Sequence, residues 1–175
     1  MIQDLCHLIC ALPGRSPAAT LPRRLDQLFQ ALAAVPPPDA QSTEEEIWSL
    51  WMHHPQRKVR EALDRATADI AAQRYDIAET RLALLLRSRP DFAEAWNKRA
   101  TLYYILQRDE ECLACIQRTL ELEPRHFGAL SGFGEICLGM GDAESALLAF
   151  RAALRLNPHL TEVARSCSLA QDRYM

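Results

Sequence analysis

Lysine is nearly absent from this chain: of its 20 cationic residues only Lys58 and Lys98 are lysine, a bias expected of GC-rich bacterial coding. Excess charge is missing too. Twenty Lys and Arg against 23 Asp and Glu leave a formal charge of -3, which excludes a partner held by bulk electrostatics, nucleic acid first among them. No glycine-rich phosphate loop, no H-E-x-x-H and no G-x-S-x-G occurs, and Gly132-Phe133-Gly134 lies in an apolar helical stretch. Six cysteines (Cys6, Cys10, Cys112, Cys115, Cys137, Cys167) are too few and too unevenly spread for a disulfide scaffold. Reduced thiols in the cytoplasm, and no cofactor, are the expectation. Long apolar runs are lacking as well. Leu5 to Leu12 falls far short of the ~20 residues a membrane span needs, and Asp4 precedes it where an export signal would carry a cation. Membrane insertion is therefore not expected, and a periplasmic location is the alternative if that run is the remnant of an export signal.

What is present is a core and a period. Hydrophobic residues make up 49% of the 175 positions, which excludes disorder and suits one domain or a short repeat array. Pro90, Pro124 and Pro158 recur at a constant spacing of 34 residues, and stacked units follow from such a period. The frame divides the chain into Val59 to Phe92, Ala93 to His126 and Phe127 to Leu160. Small residues then align as Ala66, Ala100 and Gly134, and again as Ala78, Cys112 and Ala146, where closely crossing helices accept no bulk. Leu82, Ile116 and Phe150 align as large apolar residues. Each unit reads as two amphipathic helices parted by Gln73-Arg74, Gln107-Arg108 or Gly141-Asp142, with the proline stopping the second helix.

This register resembles the tetratricopeptide repeat, the 34-residue helix-turn-helix unit. Trp96, Tyr103 and Pro124 of the middle unit sit in pattern slots, and the third unit keeps Gly134, Gly141, Ala146, Phe150, Ala153 and Pro158. The first unit has Ala62 where tryptophan is usual but keeps Ala66, Tyr75, Ala78 and Pro90. The phrases FAEAWNKRAT and LEPRHFGALSG are similar to those of small bacterial repeat proteins. The resemblance implies an all-α, right-handed superhelix, or solenoid, whose work is binding other proteins rather than catalysis.

The flanks read as helical additions. Residues 1–19 are expected to be a loosely ordered tail. Residues 20–58 are expected to form a capping helix pair: one helix over Leu25, Leu28, Phe29 and Leu32, ending before Pro36, and a second opened by a capping box of Ser42 with Glu45 or Thr43 with Glu46. The apolar face of Ile47, Leu50, Trp51 and Trp48 is expected to seal the open end of the first unit. His53-His54 should close that helix, with a partly protonated imidazole favoured there. Residues 161–175 are expected to form a closing helix.

In a curved stack the first helix of each unit turns one stripe to the concave side. In the middle unit that stripe is Glu94, Asn97, Thr101, Tyr104 and Ile105, with Lys98 beside it. Its neighbours are Arg60, Leu63, Thr67 and Ile70 on one side and Ser131, Glu135 and Leu138 on the other. An amide that both donates and accepts, next to a phenol with a rigid face, suits an extended peptide segment of another protein. The slots that hold acidic chaperone tails in the resembling family fall on Leu63, Thr67, Lys98, Gly128 and Gly132, so a carboxylate clamp cannot be assembled here. Arg99 stands where leucine is usual and should lay its stem on Trp96 and Tyr103. Cys112 and Cys115 share a helical face, and so do Cys6, His7 and Cys10. Asp109, Glu110 and Glu111 would oppose a thiolate, and Cys112 already fills a packing slot, so a redox or zinc site is the remote alternative. Self-association through Trp48, Trp51 or the last helix, giving a homodimer, is the structural alternative.

Overall fold

The structure, a computed structural model, describes residues 1–34 and 36–174, without the side chains of Pro37 and Pro38. Six helices form the three units in chain order. They are α4 (Arg57–Ala71) with α5 (Tyr75–Ser88), α6 (Ala93–Ile105) with α7 (Asp109–Leu122), and α8 (Phe127–Gly139) with α9 (Ala143–Leu156). Before them come α1 (Ile2–Ala11), α2 (Arg24–Leu32) and α3 (Pro37–Met52), and after them α10 (Thr161–Tyr174).

The turn inside each unit is the same object three times. Gln73 (φ 58°), Gln107 (φ 56°) and Gly141 (φ 81°) occupy equivalent positions in the left-handed region. In the middle unit Arg108 N–H donates to the Tyr103 carbonyl at 2.9 Å and Gln107 N–H to that of Tyr104 at 3.0 Å, and both other units repeat the pattern. This paired closure satisfies the orphaned carbonyls at the helix end and needs a left-handed residue. Only the third unit uses the residue that adopts it without strain.

The aligned small residues are buried where paired helices cross. A Cβ on Gly134 would land on the Phe150 ring, and the Cys112 thiol donates to the Ala100 carbonyl at 3.2 Å. Leu82, Ile116 and Phe150 fill the centre between the helices of each pair. The first unit packs around its own cluster of Leu63, Leu82, Leu85 and Phe92, joined by Ala95 and Leu102 of α6. A larger core unites α1, α2 and α3 with the second and third units.

That larger core corrects three expectations. Residues 2–11 are helical, with Leu5, Leu8 and Ile9 buried against the outer helices α9 and α7. Burial thus accounts for the apolar run at the N-terminus. Next, α3 starts at Pro37, whose fixed φ suits the first helical position. Ser42 and Thr43 therefore lie inside the helix, where their hydroxyls donate to the Asp39 carbonyl at 3.0 and 3.2 Å, and no capping box forms. Finally, α2 and α3 do not seal the first unit. They bridge the loops after α7 and α9: Arg125 pairs with Asp26 at 2.6 Å, Asn157 donates to Glu44 at 2.9 Å, and the His159 ring donates to the Leu32 carbonyl at 3.1 Å. The open end of the first unit keeps an uncovered cavity lined by Val59, Ala62, Leu84 and Leu85, while α3 takes its seat on Phe127 of the third unit, with space left by Gly128. At the other end α10 lies along α9, and Arg173 donates to the Leu138 carbonyl at 3.3 Å.

Glycine should be favoured at two positions of this fold for different reasons. Gln107→Gly should raise stability by up to about 1 kcal/mol by relieving a left-handed side chain. Gly134→Ala should lower it by roughly 1–3 kcal/mol through the clash with Phe150, despite the better helix propensity of alanine. Urea midpoints of the two variants and the parent check both signs.

Candidate functional site

The concave face divides into a filled part and an open part. Where α6 and α8 begin, α3 lies over the groove. Trp51 stacks flat on His126, with ring centroids 4.1 Å apart and planes 10° apart, and its indole N–H points at Glu123 Oε2 at 3.4 Å. Trp48 meets Trp51 and Phe127 edge-on at 5.1 and 5.5 Å. A Cβ on Gly128 would sit 2.7 Å from the Trp48 ring, so glycine is what admits the indole.

Beneath the tryptophans is a buried polar cluster. His126 Nε2–H donates to Glu94 at 2.9 Å while its Nδ1 accepts from Ala129 N–H at 3.1 Å, which caps α8 and fixes the neutral tautomer. Glu94 also takes Lys98 Nζ at 3.0 Å and Asn97 Nδ2 at 3.3 Å. Lys98 lies over the Trp48 ring at 5.7 Å. Burial acts to raise the Glu94 carboxyl, and the His126 and Lys98 contacts overcome it, holding the group below its ordinary 4.5.

These contacts correct the expected stripe. Glu94 is buried and paired internally and the Lys98 ammonium is committed to Glu94, so neither is free to grip a peptide backbone, while Asn97 spends its Nδ2 on Glu94 and keeps a place in the wall of the open groove. Arg60 is likewise turned inward, donating to the His54 carbonyl at 2.7 Å. Leu63 is core, Ile70 packs against the same cluster, and the buried Thr67 hydroxyl has no hydrogen-bond partner among the described residues. Leu138 is buried. Thr101, Tyr104 and Ile105 remain exposed, with Ser131 and Glu135 half-buried opposite. The Thr101 and Ser131 hydroxyls donate to the carbonyls four residues back, at 3.1 and 2.8 Å.

Between the two walls is a small pocket of about 100 Å³, with Tyr104 and Thr101 at its side, Cys112 and Ile116 behind, and Gly128 and Gly132 forming its far wall. A Cβ on Gly132 would touch only Ile116, at 3.9 Å. That pocket went unseen in the sequence, where Gly128 and Gly132 read only as missing clamp cations.

The remaining sequence candidates are structural. Arg99 lays its guanidinium 5.2 Å from the Tyr103 ring centre and donates to the phenol at 2.9 Å. The phenol in turn donates to Glu79 at 3.0 Å, and Arg108 reaches the same carboxylate at 3.1 Å. Burial pushes the Cys112 and Cys115 thiols up to about 12 and about 11, with Cys115 and Asp109 adding to the first, so both are protonated near neutral pH. Burial and then Arg89 push His54 down, and its Nδ1 accepts from Gln56 N–H at 3.1 Å, so a neutral ring replaces the charged cap expected there.

A carboxyl held below its ordinary value in the folded state stabilises the fold above that value, and the contribution is lost as pH falls through the folded one. The melting temperature of the parent should therefore drop as pH goes below 4.5. Glu94→Gln should flatten part of that drop while lowering stability at neutral pH, where it leaves His126 and Lys98 without their anion. Melting curves across a pH series check it.

Comparison with known proteins agrees with this geometry. Tetratricopeptide repeat models match residues 93–126 and 128–160. A TPR repeat-containing protein of Rhizobium etli is 33% identical over 145 residues, covering 82% of this chain and 71% of that one. Among solved structures, a point mutant of MamA and MamA of MSR-1 each superpose with a TM-score of 0.57 over 85% of this chain and 84% and 83% of theirs, at 18% identity, a likeness of fold. With its three stacked helix pairs and their repeating left-handed turns, the chain belongs to the tetratricopeptide-repeat family.

Proposed function

We infer that this protein is a non-enzymatic interaction scaffold that takes a short segment of a partner protein in the open part of its groove. The observation that carries this reading is Tyr104 and Ile105, 50% and 42% exposed on the concave side beside the 100 Å³ pocket. Nothing else in the described chain covers them. With the ammonium of the stripe engaged by Glu94, the remaining chemistry is mostly apolar: a rigid phenol face, an aliphatic neighbour and a cavity sized for one medium side chain, with the Asn97 amide oxygen in its wall. The partner segment places that side chain between Tyr104 and Gly132. Because the groove is preformed, the cost of ordering falls on the ligand alone.

Self-association through the tryptophans is set aside, since Trp48 and Trp51 serve the fold of one chain. The exposed Leu169 and Tyr174 of α10 leave a second copy as the competing occupant of that terminal face. A molar mass by light scattering that stays monomeric on concentration removes it.

Gly132→Leu should fill the pocket without unfolding α8, because its Cβ direction is open and leucine is the better helix former. Affinity capture from native lysate, read by mass spectrometry, should show the same proteins retained by the parent and lost with both Gly132→Leu and Tyr104→Ala. Helicity and melting should be unchanged or raised in the first variant. Identical lists from all three would overturn the groove reading.

A further inference from the structure

A second cavity lies on the outer side of the stack and is independent of the groove. Its volume is about 350 Å³, within the range of small-molecule sites. It opens between the turn that follows α1, the loop after α7 and the C-terminal half of α9. The walls are apolar, from Ile9 and Leu12 at the end of α1, Leu130 of α8 and Leu156 of α9, with Ala152 among them. The charged groups in the lining are three arginines, Arg15, Arg125 and Arg155, with no acid among them.

The three cations are not equivalent. Arg125 is engaged: its Nε and Nη2 donate to Glu123 at 2.9 and 3.0 Å and its Nη1 to Asp26 at 2.6 Å. Its charge is balanced by those two carboxylates, so it closes the wall without serving as the anchor for an anion. Arg15 and Arg155 have no side-chain hydrogen bond or ion pair among the described residues and stand exposed at the mouth. Glu121, the acid whose charge Arg15 feels, is already bonded to Arg118 at 2.9 Å and Gln117 at 3.1 Å.

An apolar chamber with two free guanidinium forks at its rim matches one chemistry, an aliphatic body ending in a single anionic head. We propose that this cavity binds a free medium-chain carboxylate, its chain against Ile9, Leu12, Leu130 and Leu156 and its head between Arg15 and Arg155. A bilayer is the less fitting source of such a ligand. The apolar face of α1 is turned into the core, and its outward residues Gln3, Asp4, His7 and Cys10 offer no amphipathic surface for a membrane.

Titration calorimetry of the full chain with decanoate, and with decanol as the neutral control, tests this. Decanoate should bind saturably at one site, and decanol about tenfold more weakly for want of the charge-assisted hydrogen bonds. Arg15→Gln/Arg155→Gln should weaken decanoate by a similar factor and leave decanol unchanged. Ala152→Phe, which fills the cavity from α9, should abolish both, with its melting curve checked alongside. Equal affinity for decanoate and decanol, full retention of decanoate binding by the arginine variant, or uptake on phosphatidylglycerol vesicles without saturable decanoate binding would each overturn the proposal.

Discussion

Trp51 lying flat on His126 is the contact on which the rest of the molecule depends. The imidazole has one protonated nitrogen and one bare one, and the fold uses both, the first on Glu94 and the second on the backbone that begins α8. Stacking an indole on that ring removes water from the cluster and makes each of its hydrogen bonds stronger and more costly to lose. It also ties residues that precede the first repeat to the junction of the second and third. A repeat array is otherwise a set of nearest-neighbour contacts; here an N-terminal clasp spans two units and stiffens their junction.

The clasp also defines what the concave face can do. A curved stack of three units would expose a long polar stripe, and the side chains to grip a peptide backbone are present in the sequence. Trp48 and Trp51 occupy the part of the groove where Glu94 and Lys98 would have met a ligand, and those two groups turn to each other and, through Glu94, to His126. Displacing α3 would expose a core that includes Ile47 and Trp51, so it is a permanent occupant rather than a lid. What remains open on that face is smaller and more apolar than the full stripe.

Most of the repeat architecture was legible in advance because it is local. A proline every 34 residues, small residues at crossing points and a polar turn between helices are satisfied within one unit, so they leave a period in the chain. Thr101, Tyr104 and Ile105 are exposed on the concave side because α6 presents one face whatever its flanks do. The flanks carry no period, so the helix at residues 2–11, the start of α3 and the seat of the clasp leave no local signal in the chain.

The sequence by itself determined the helical pairs, their family and which side of α6 faces inward, since helix periodicity and turn chemistry act over a few residues. Only the tertiary structure decided how much of that inward side is open. Whether Glu94 meets solvent or His126 depends on where Trp48 and Trp51 are seated, and that seat is set by Gly128, Phe127 and Asn157 from distant parts of the chain. The same holds for the outer cavity, whose walls come from α1, α8 and α9 and whose three arginines lie far apart in the chain. Burial is a sum over neighbours that are remote in sequence, and no local pattern records it.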